Sequence, residues 1–232
     1  MDDQGRPPVL AHQRFAARRE SFDGLSLKER FEEIHASNLW GAQESVSGLG
    51  SEPDAIRALR NDLATLLQGL GAGSLLDAPC GDASWIHGMD LGLAYHGIDI
   101  VPGLIADLQQ RADAGELPGT YKLADLTCDD LPGCDVILCR DCLVHLSFAN
   151  VERAVANMAR SGATWLITTT FTDWDGNADC EDGDWRALNM ESAPFSWPQP
   201  EVLINEDCRE GDGGWADKSL GLWRFRDLPI AA

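Results

Sequence analysis

The stretch SLLDAPCGDASW, Ser74 to Trp85, decides how the rest of the chain is read. An apolar pair, Leu75 and Leu76, runs into an acid, Asp77. A tight turn of Pro79, Cys80, Gly81 and Asp82 follows, and the residues after it are compatible with a helix. The pattern predicts a strand, a sharp loop and a helix start. In doubly wound α/β proteins the loop after the first strand stands at the carboxyl edge of the sheet, where a nucleotide-like ligand rests against backbone amides. Dinucleotide sites place G-x-G-x-x-G there so that the backbone can approach a pyrophosphate. This loop reads D-x-x-x-G-D from Asp77 to Asp82, and a carboxylate at the strand end would repel phosphate. It suits a ligand with a cationic amino-acid end.

Downstream, the chain alternates strand and helix patterns. Tyr95 to Ile100 is a second apolar strand that ends near Asp99. That acid lies about 20 residues beyond the first loop, where α/β nucleotide folds place a carboxylate on ribose hydroxyls, so Asp99 is the expected ribose ligand. Pro102 to Ala114 reads as a helix and Tyr121 to Thr127 as a third strand containing Asp125. Asp135 to Cys139 has the continuous apolar character of a buried parallel strand. Ser147 can cap a helix with Val151, Ala154, Val155 and Met158 on one face, and Ala163 to Phe171 is a fifth strand. Val202 to Asn205 and Gly221 to Phe225 then form two strands with only polar sequence between them. The expected fold is α/β: a Rossmann-like, doubly wound, mostly parallel seven-stranded sheet with a terminal antiparallel strand pair.

Upstream, residues 1–50 read as an N-terminal helical arm and lid loop. It has helices around His12 to Glu20 and Leu27 to His35, then the Gly- and Ser-rich loop Asn38 to Ser51 with Trp40. Ser51 has the form of a helix cap, and Ile56, Leu59, Leu63, Leu66, Leu67 and Leu70 recur at helical spacing. Residues 51–232 form the main domain, with an insertion at 173–200.

The organising loop resembles motif I of the class I S-adenosylmethionine-dependent methyltransferases, E/D-x-G-x-G-x-G, with Pro79 in the first glycine place and Ala83 in the third. The resemblance runs from about Ser51 to Leu228, and the terminal antiparallel pair is what that fold adds to a Rossmann-like sheet. The blocks NLWGAQESVSGLGS, LLDAPCGD and DKSLGLWR further resemble a bacterial subgroup of small-molecule methyltransferases. The implied cofactor is S-adenosyl-L-methionine. Its implied contacts are Asp77, Pro79, Gly81, Asp82, Trp85, Asp99, Ile100, Leu126 and Arg140, with Asp125 at the adenine amino group.

Methyl transfer needs alignment, exclusion of water and, for a hydroxyl acceptor, removal of a proton. Asp141 and His145, beyond the fourth strand, are the catalytic candidates. Four positions apart, they share a face if the segment is helical, and the acid could orient the imidazole. His145 is read either as the general base or as a structural histidine on a backbone carbonyl. Trp40, Trp185, Arg186 and Trp197 are the expected acceptor-side residues: indole faces pack on sugar rings, and arginine pairs with a carboxylate or phosphate. Asp141, Asp173 and Asp175 could converge on a divalent cation in principle, but the reading assigns no metal.

Eighteen basic against 38 acidic residues give a formal charge of −20, which argues against nucleic acid as a partner and favours a cationic ligand. No apolar run is long enough to span a membrane, and MDDQGRPPVL lacks a signal-peptide core. Seven cysteines, an odd count, read as reduced thiols despite the C-x-x-C at Cys139 and Cys142. The expectation is a cytoplasmic enzyme that methylates a hydroxyl of a small polar acceptor, a sugar or secondary metabolite. The alternatives are an N-methyltransferase on a small amine and a non-catalytic cofactor-binding subunit. A nicotinamide oxidoreductase is disfavoured by the missing glycine motif. The oligomeric state is left open.

Overall fold

In the computed structural model, residues 5–40 and 53–230 are described. The greater part of the expected lid, residues 41–51, and the expected cap at Ser51 lie outside them.

Seven strands form one sheet: β1 (Ser74–Asp77), β2 (Ala94–Asp99), β3 (Thr120–Leu123), β4 (Val136–Cys139), β5 (Trp165–Phe171), β6 (Val202–Asn205) and β7 (Lys218–Arg224). Their order is β3-β2-β1-β4-β5-β7-β6. The pairs β1–β2, β1–β4, β2–β3 and β4–β5 are parallel. β7 lies antiparallel between β5 and β6, from Trp165 opposite Arg224 to Phe171 opposite Lys218. The sheet order reverses between β1 and β4, and ligands bind at such a switch point, beyond the carboxyl ends of the strands.

Period-two alternation divides the core between the two faces of the sheet. Leu76, Ile137, Cys139 and Leu166 face one side, where they pack with Val151, Ala154 and Met158 of α5 (Phe148–Arg160). Leu75, Val136, Leu138 and Ile167 face the other. There they meet Leu59, Leu63 and Leu67 of α3 (Pro53–Gly69), and Ile105 and Leu108 of α4 (Pro102–Asp113). Each of the Leu, Ile, Val and Met side chains among them is buried, a contribution of about 1.5–3 kcal/mol apiece. Ser147 caps α5 by accepting from the Asn150 amide. In β7, a Cβ on Gly221 would stand 2.1 Å from the Trp223 ring, so that position leaves room for nothing larger than hydrogen.

Two helices precede the sheet, α1 (Leu10–Arg18) and α2 (Leu27–Ala36). Ser26 and Glu29 close a reciprocal capping box at the start of α2. Phe15, Phe22, Ile34 and Leu39 form a separate small core that fixes the arm.

The segments differ from the sequence expectation in three places. After the organising loop there is no helix start; Ala83–Gly88 is a series of turns. Ala83 has φ 52°, Gly88 has φ 72°, and Asp82 accepts from the Ser84 amide, a local bond that competes with helical ones. The third strand ends at Leu123, and Asp125 opens a turn by accepting from the amide and hydroxyl of Thr127. The last strand begins at Lys218 rather than Gly221, because its start is paired with the end of β5.

Candidate functional site

One cleft opens at the carboxyl edge of β1, β2 and β4. Its walls include all ten sequence-expected cofactor positions: Asp77, Pro79, Gly81, Asp82, Trp85, Asp99, Ile100, Asp125, Leu126 and Arg140. Trp40, Asp141 and His145 line it as well.

Asp77 ends β1 with 2% exposure. Its Oδ2 accepts from the Tyr95 hydroxyl at 2.7 Å and the Trp85 indole at 2.6 Å. Burial outweighs those two bonds and pushes the carboxyl up to about 7, so a cationic group brought beside it would restore its charge. Asp99, at the end of β2, accepts from Gly81 N at 3.2 Å and Val101 N at 3.0 Å. Burial raises its pKa while those backbone bonds hold it down. The Gly81 bond ties the organising loop to the second strand, and Gly81 takes the left-handed conformation with φ 54°.

This chemistry fits S-adenosylmethionine. The cleft presents two buried acids, Asp77 and Asp99, and a third, Asp125, where a cofactor with an ammonium, ribose hydroxyls and an amino-bearing base would find partners. No helix N-terminus follows the loop to hold a pyrophosphate, and the arginine in the wall, Arg140, is already paired. Arg140 donates to Glu206 at 3.1 Å through Nε and at 2.5 Å through Nη2.

Beyond β4 the expected pairing of Asp141 with His145 is not formed. Asp141 has φ 51° and lies outside the short 3-10 turn Leu143–His145, so no common helix aligns the two. The Asp141 carboxylate accepts from Lys218 Nζ at 2.7 Å, with Arg140 Nη2 at 3.5 Å. Burial alone would raise its pKa, but Lys218 and Arg140 outweigh it and hold the carboxyl well below the ordinary range. With its charge engaged there, Asp141 does not orient the imidazole.

His145 is held by another group. Its Nδ1 donates to the Asp184 carbonyl at 2.7 Å, the backbone contact that the structural reading of this histidine expected, and the bond leaves Nε2 as the unprotonated nitrogen of the neutral ring. Among the described residues no group bonds to Nε2. Burial pushes the His145 pKa down to about 4, and its ring stacks on Trp40 at 4.4 Å.

Three of the four expected acceptor-side residues lie elsewhere. Arg186 is buried at 8% exposure and donates to the carbonyls of Leu143 (2.7 Å), Leu146 (2.5 Å) and Ala178 (3.2 Å). It therefore has no fork left for an anionic acceptor. Trp185 packs against Phe171 and Trp215, with ring centroids 5.9 and 4.9 Å away. Trp197 packs on Trp223 at 5.2 Å in the core. Apolar burial against the sheet accounts for both. Trp40 alone of the four reaches the cleft.

The insertion at 173–200 acts behind the cleft instead. Gly183 N donates to the His145 carbonyl and Arg186 N to that of Val144. Asp182 and Asp179 accept from the Ser147 and Phe148 amides. Sequence reasoning missed the wall formed by Leu27, Phe31 and Ile34 of α2. The signal was their spacing on one helix face, which says that the face is buried but not against what. It also missed Lys218 and Glu206, which reach the site only through strand pairing.

Residues 76–162 match the family described as "Methyltransferase domain". No curated protein matches the chain. Among solved structures, the chain is similar to the Burkholderia thailandensis 1,6-didemethyltoxoflavin-N1-methyltransferase, solved with 1,6-didemethyltoxoflavin and S-adenosylhomocysteine. The identity is 18%, the match covers 97% of each chain, and the TM-score is 0.58. It is also similar to the methyltransferase domain of bacterial CtHen1, at 12% identity over 72% of this chain and 97% of that one, with a TM-score of 0.51. The magnesium protoporphyrin IX methyltransferase ChlM of Synechocystis PCC 6803 matches 68% of this chain and 82% of its own at 16% identity, with a TM-score of 0.49. At these identities the structural likeness speaks to the fold, a seven-stranded sheet of the same class. Residues 76–162 thus form a methyltransferase domain, and the fold and the cleft around it are consistent with the class I S-adenosylmethionine-dependent enzymes.

Proposed function

We propose that the enzyme methylates a hydroxyl or ring N–H of a small acceptor, with His145 as the general base and Asp77, Asp99 and Asp125 holding the cofactor. The observation that carries the role of His145 is its Nδ1 bond to the Asp184 carbonyl at 2.7 Å, which leaves Nε2 a lone pair in the wall of the cleft. S-adenosylmethionine, when bound, supplies an electrophilic methyl whose bonding pair departs with the sulfur. His145 Nε2 takes the proton that the acceptor loses as its lone pair bonds to the methyl carbon, and the imidazolium returns that proton to water. With a pKa of about 4, the imidazole is neutral throughout the range in which most enzymes work. Asp141, paired to Lys218, keeps a negative charge near that imidazole and favours its protonated form.

An N–H acceptor gains weight from the Burkholderia relative, which acts on a ring nitrogen and aligns with 97% of this chain. The described part of the helical arm, residues 5–40, covers one side of the cleft through α2, which contributes one of its walls. We place the enzyme in the cytoplasm, a reading supported by seven cysteines that are all free thiols. No described helix is long and apolar enough to cross a membrane.

Calorimetric titration with S-adenosylhomocysteine, with NADH as the control, tests the cofactor role; saturation by NADH alone would sink it. His145→Ala should lower turnover by about 10²–10⁴-fold and leave S-adenosylhomocysteine affinity unchanged. A fully active variant removes His145 as the base.

A further inference from the structure

We infer that the acceptor is an uncharged, flat aromatic or heteroaromatic ring that presents its reactive O–H or N–H at the edge, and not a sugar or an aliphatic amine. This rests on the methyltransferase reading of the same cleft and narrows it.

The acceptor end lies between α2 and the turn that carries His145. Leu27, Phe31 and Ile34 come from α2, at spacings of four and three that set them on one helix face. Leu146 lines the cleft beside His145. Phe31 meets Trp40 edge to face at 6.2 Å, and Trp40 stacks on His145 at 4.4 Å with 28° between the rings. Phe31 and Trp40 are only half-buried although they are large and apolar. The surface they leave uncovered lies along the cleft, and a flat ring would cover it by offset or edge contact.

The polar groups described at this end suit other acceptors less well. A sugar must exchange several hydroxyl–water bonds for protein ones. Among the described residues the polar groups at this end are His35, Asp141, Cys142, His145 and the unpartnered Trp40 indole N–H, and Asp141 is bonded to Lys218. Arg186, the residue best suited to an anionic acceptor, spends its guanidinium on backbone carbonyls. Arg140 is bonded to Glu206, so neither arginine is offered to a carboxylate or phosphate. Asp77, Asp99 and Asp125 stand at the cofactor end, and among the described residues the carboxylate left for an ammonium acceptor beside Phe31, Asp141, is already paired with Lys218. A neutral ring with one proton to give matches the unbonded ring nitrogen of His145, Nε2.

The test is calorimetry on the protein saturated with S-adenosylhomocysteine, titrated separately with 2-naphthol, methyl α-glucoside and cyclohexylamine. Saturable binding of 2-naphthol alone is expected, weakened about tenfold in Phe31→Ala and again in Trp40→Ala. Thermal unfolding confirms that each variant is folded. No binding of 2-naphthol, binding unaffected by both substitutions, or preferred binding of the glucoside or the amine overturns the inference. Failure of S-adenosylhomocysteine itself to bind would overturn the cofactor assignment instead, so the two failures are separable.

Discussion

Asp77 shows how one buried carboxylate can link cofactor binding to pH. Its folded pKa of about 7 stands above the ordinary 3.8, so the folded apo-protein binds this proton more tightly than the unfolded chain does. The stability it contributes is full below about pH 3.8 and is lost as pH rises through about 7. His145 runs the other way. Its folded pKa of about 4 is below the ordinary 6.5, so its contribution is present above 6.5 and is lost as pH falls through 4. A ligand ammonium beside Asp77 favours the ionised form. S-adenosylhomocysteine affinity should therefore fall below pH 7, approaching tenfold per pH unit. Asp77→Asn should bind more weakly at pH 8 and lose that slope; calorimetry from about pH 5 to 8 checks both. Asp77 and Asp99 were legible as residues of the cleft because they end strands at a characteristic separation. The Tyr95 and Trp85 bonds that share one oxygen of Asp77 were not, since they depend on how the turn folds back over β2.

At the scale of elements, the segment 143–148 is shaped from outside itself. It carries the proposed base and the start of α5, yet much of its backbone is held by residues 179–186 of the insertion. Arg186 is a positioning residue there, with three carbonyls on one planar fork. A lysine cannot reproduce that fork. Arg186→Lys should destabilise the protein by about 1–3 kcal/mol, read by denaturant unfolding. It should also lower kcat while leaving the KM for S-adenosylmethionine unchanged, and speed amide exchange across 143–148. Unchanged exchange with unchanged kcat would show that the fork is incidental. The insertion was legible as a feature of the site, but its side of the site was not. Trp185, Arg186 and Trp197 belong to its supporting face because apolar burial and carbonyl satisfaction decide where such side chains go.

At the scale of the whole molecule, a formal charge of −20 over 232 residues sets up a field that repels itself and attracts cations. Added salt screens both effects, since the Debye length shortens from about 30 Å at 0.01 M to about 8 Å at 0.15 M. The thermal midpoint of the apo-protein should rise over that range. The association rate of S-adenosylmethionine, which carries a sulfonium and an ammonium, should fall in stopped-flow fluorescence. A midpoint that falls with salt would mean that the buried pairs around Arg140, Asp141, Glu206 and Lys218 are screened more than the surface repulsion is. Those pairs form because β7 runs antiparallel between β5 and β6 and carries Lys218 to Asp141 and Glu206.

The local sequence by itself determined the order of strands and helices, the two faces of the sheet, the loop at Asp77–Asp82 and the acids at 99 and 125. These follow from hydrophobic periodicity and turn chemistry, which act over a few residues. Only the tertiary structure decided what those residues touch. It replaced Asp141 with the Asp184 carbonyl as the partner of His145, turned three of four acceptor-side candidates away from the cleft and put the apolar face of α2 in their place. Such contacts join residues tens to hundreds of positions apart, and which of them form depends on the packing of the whole chain.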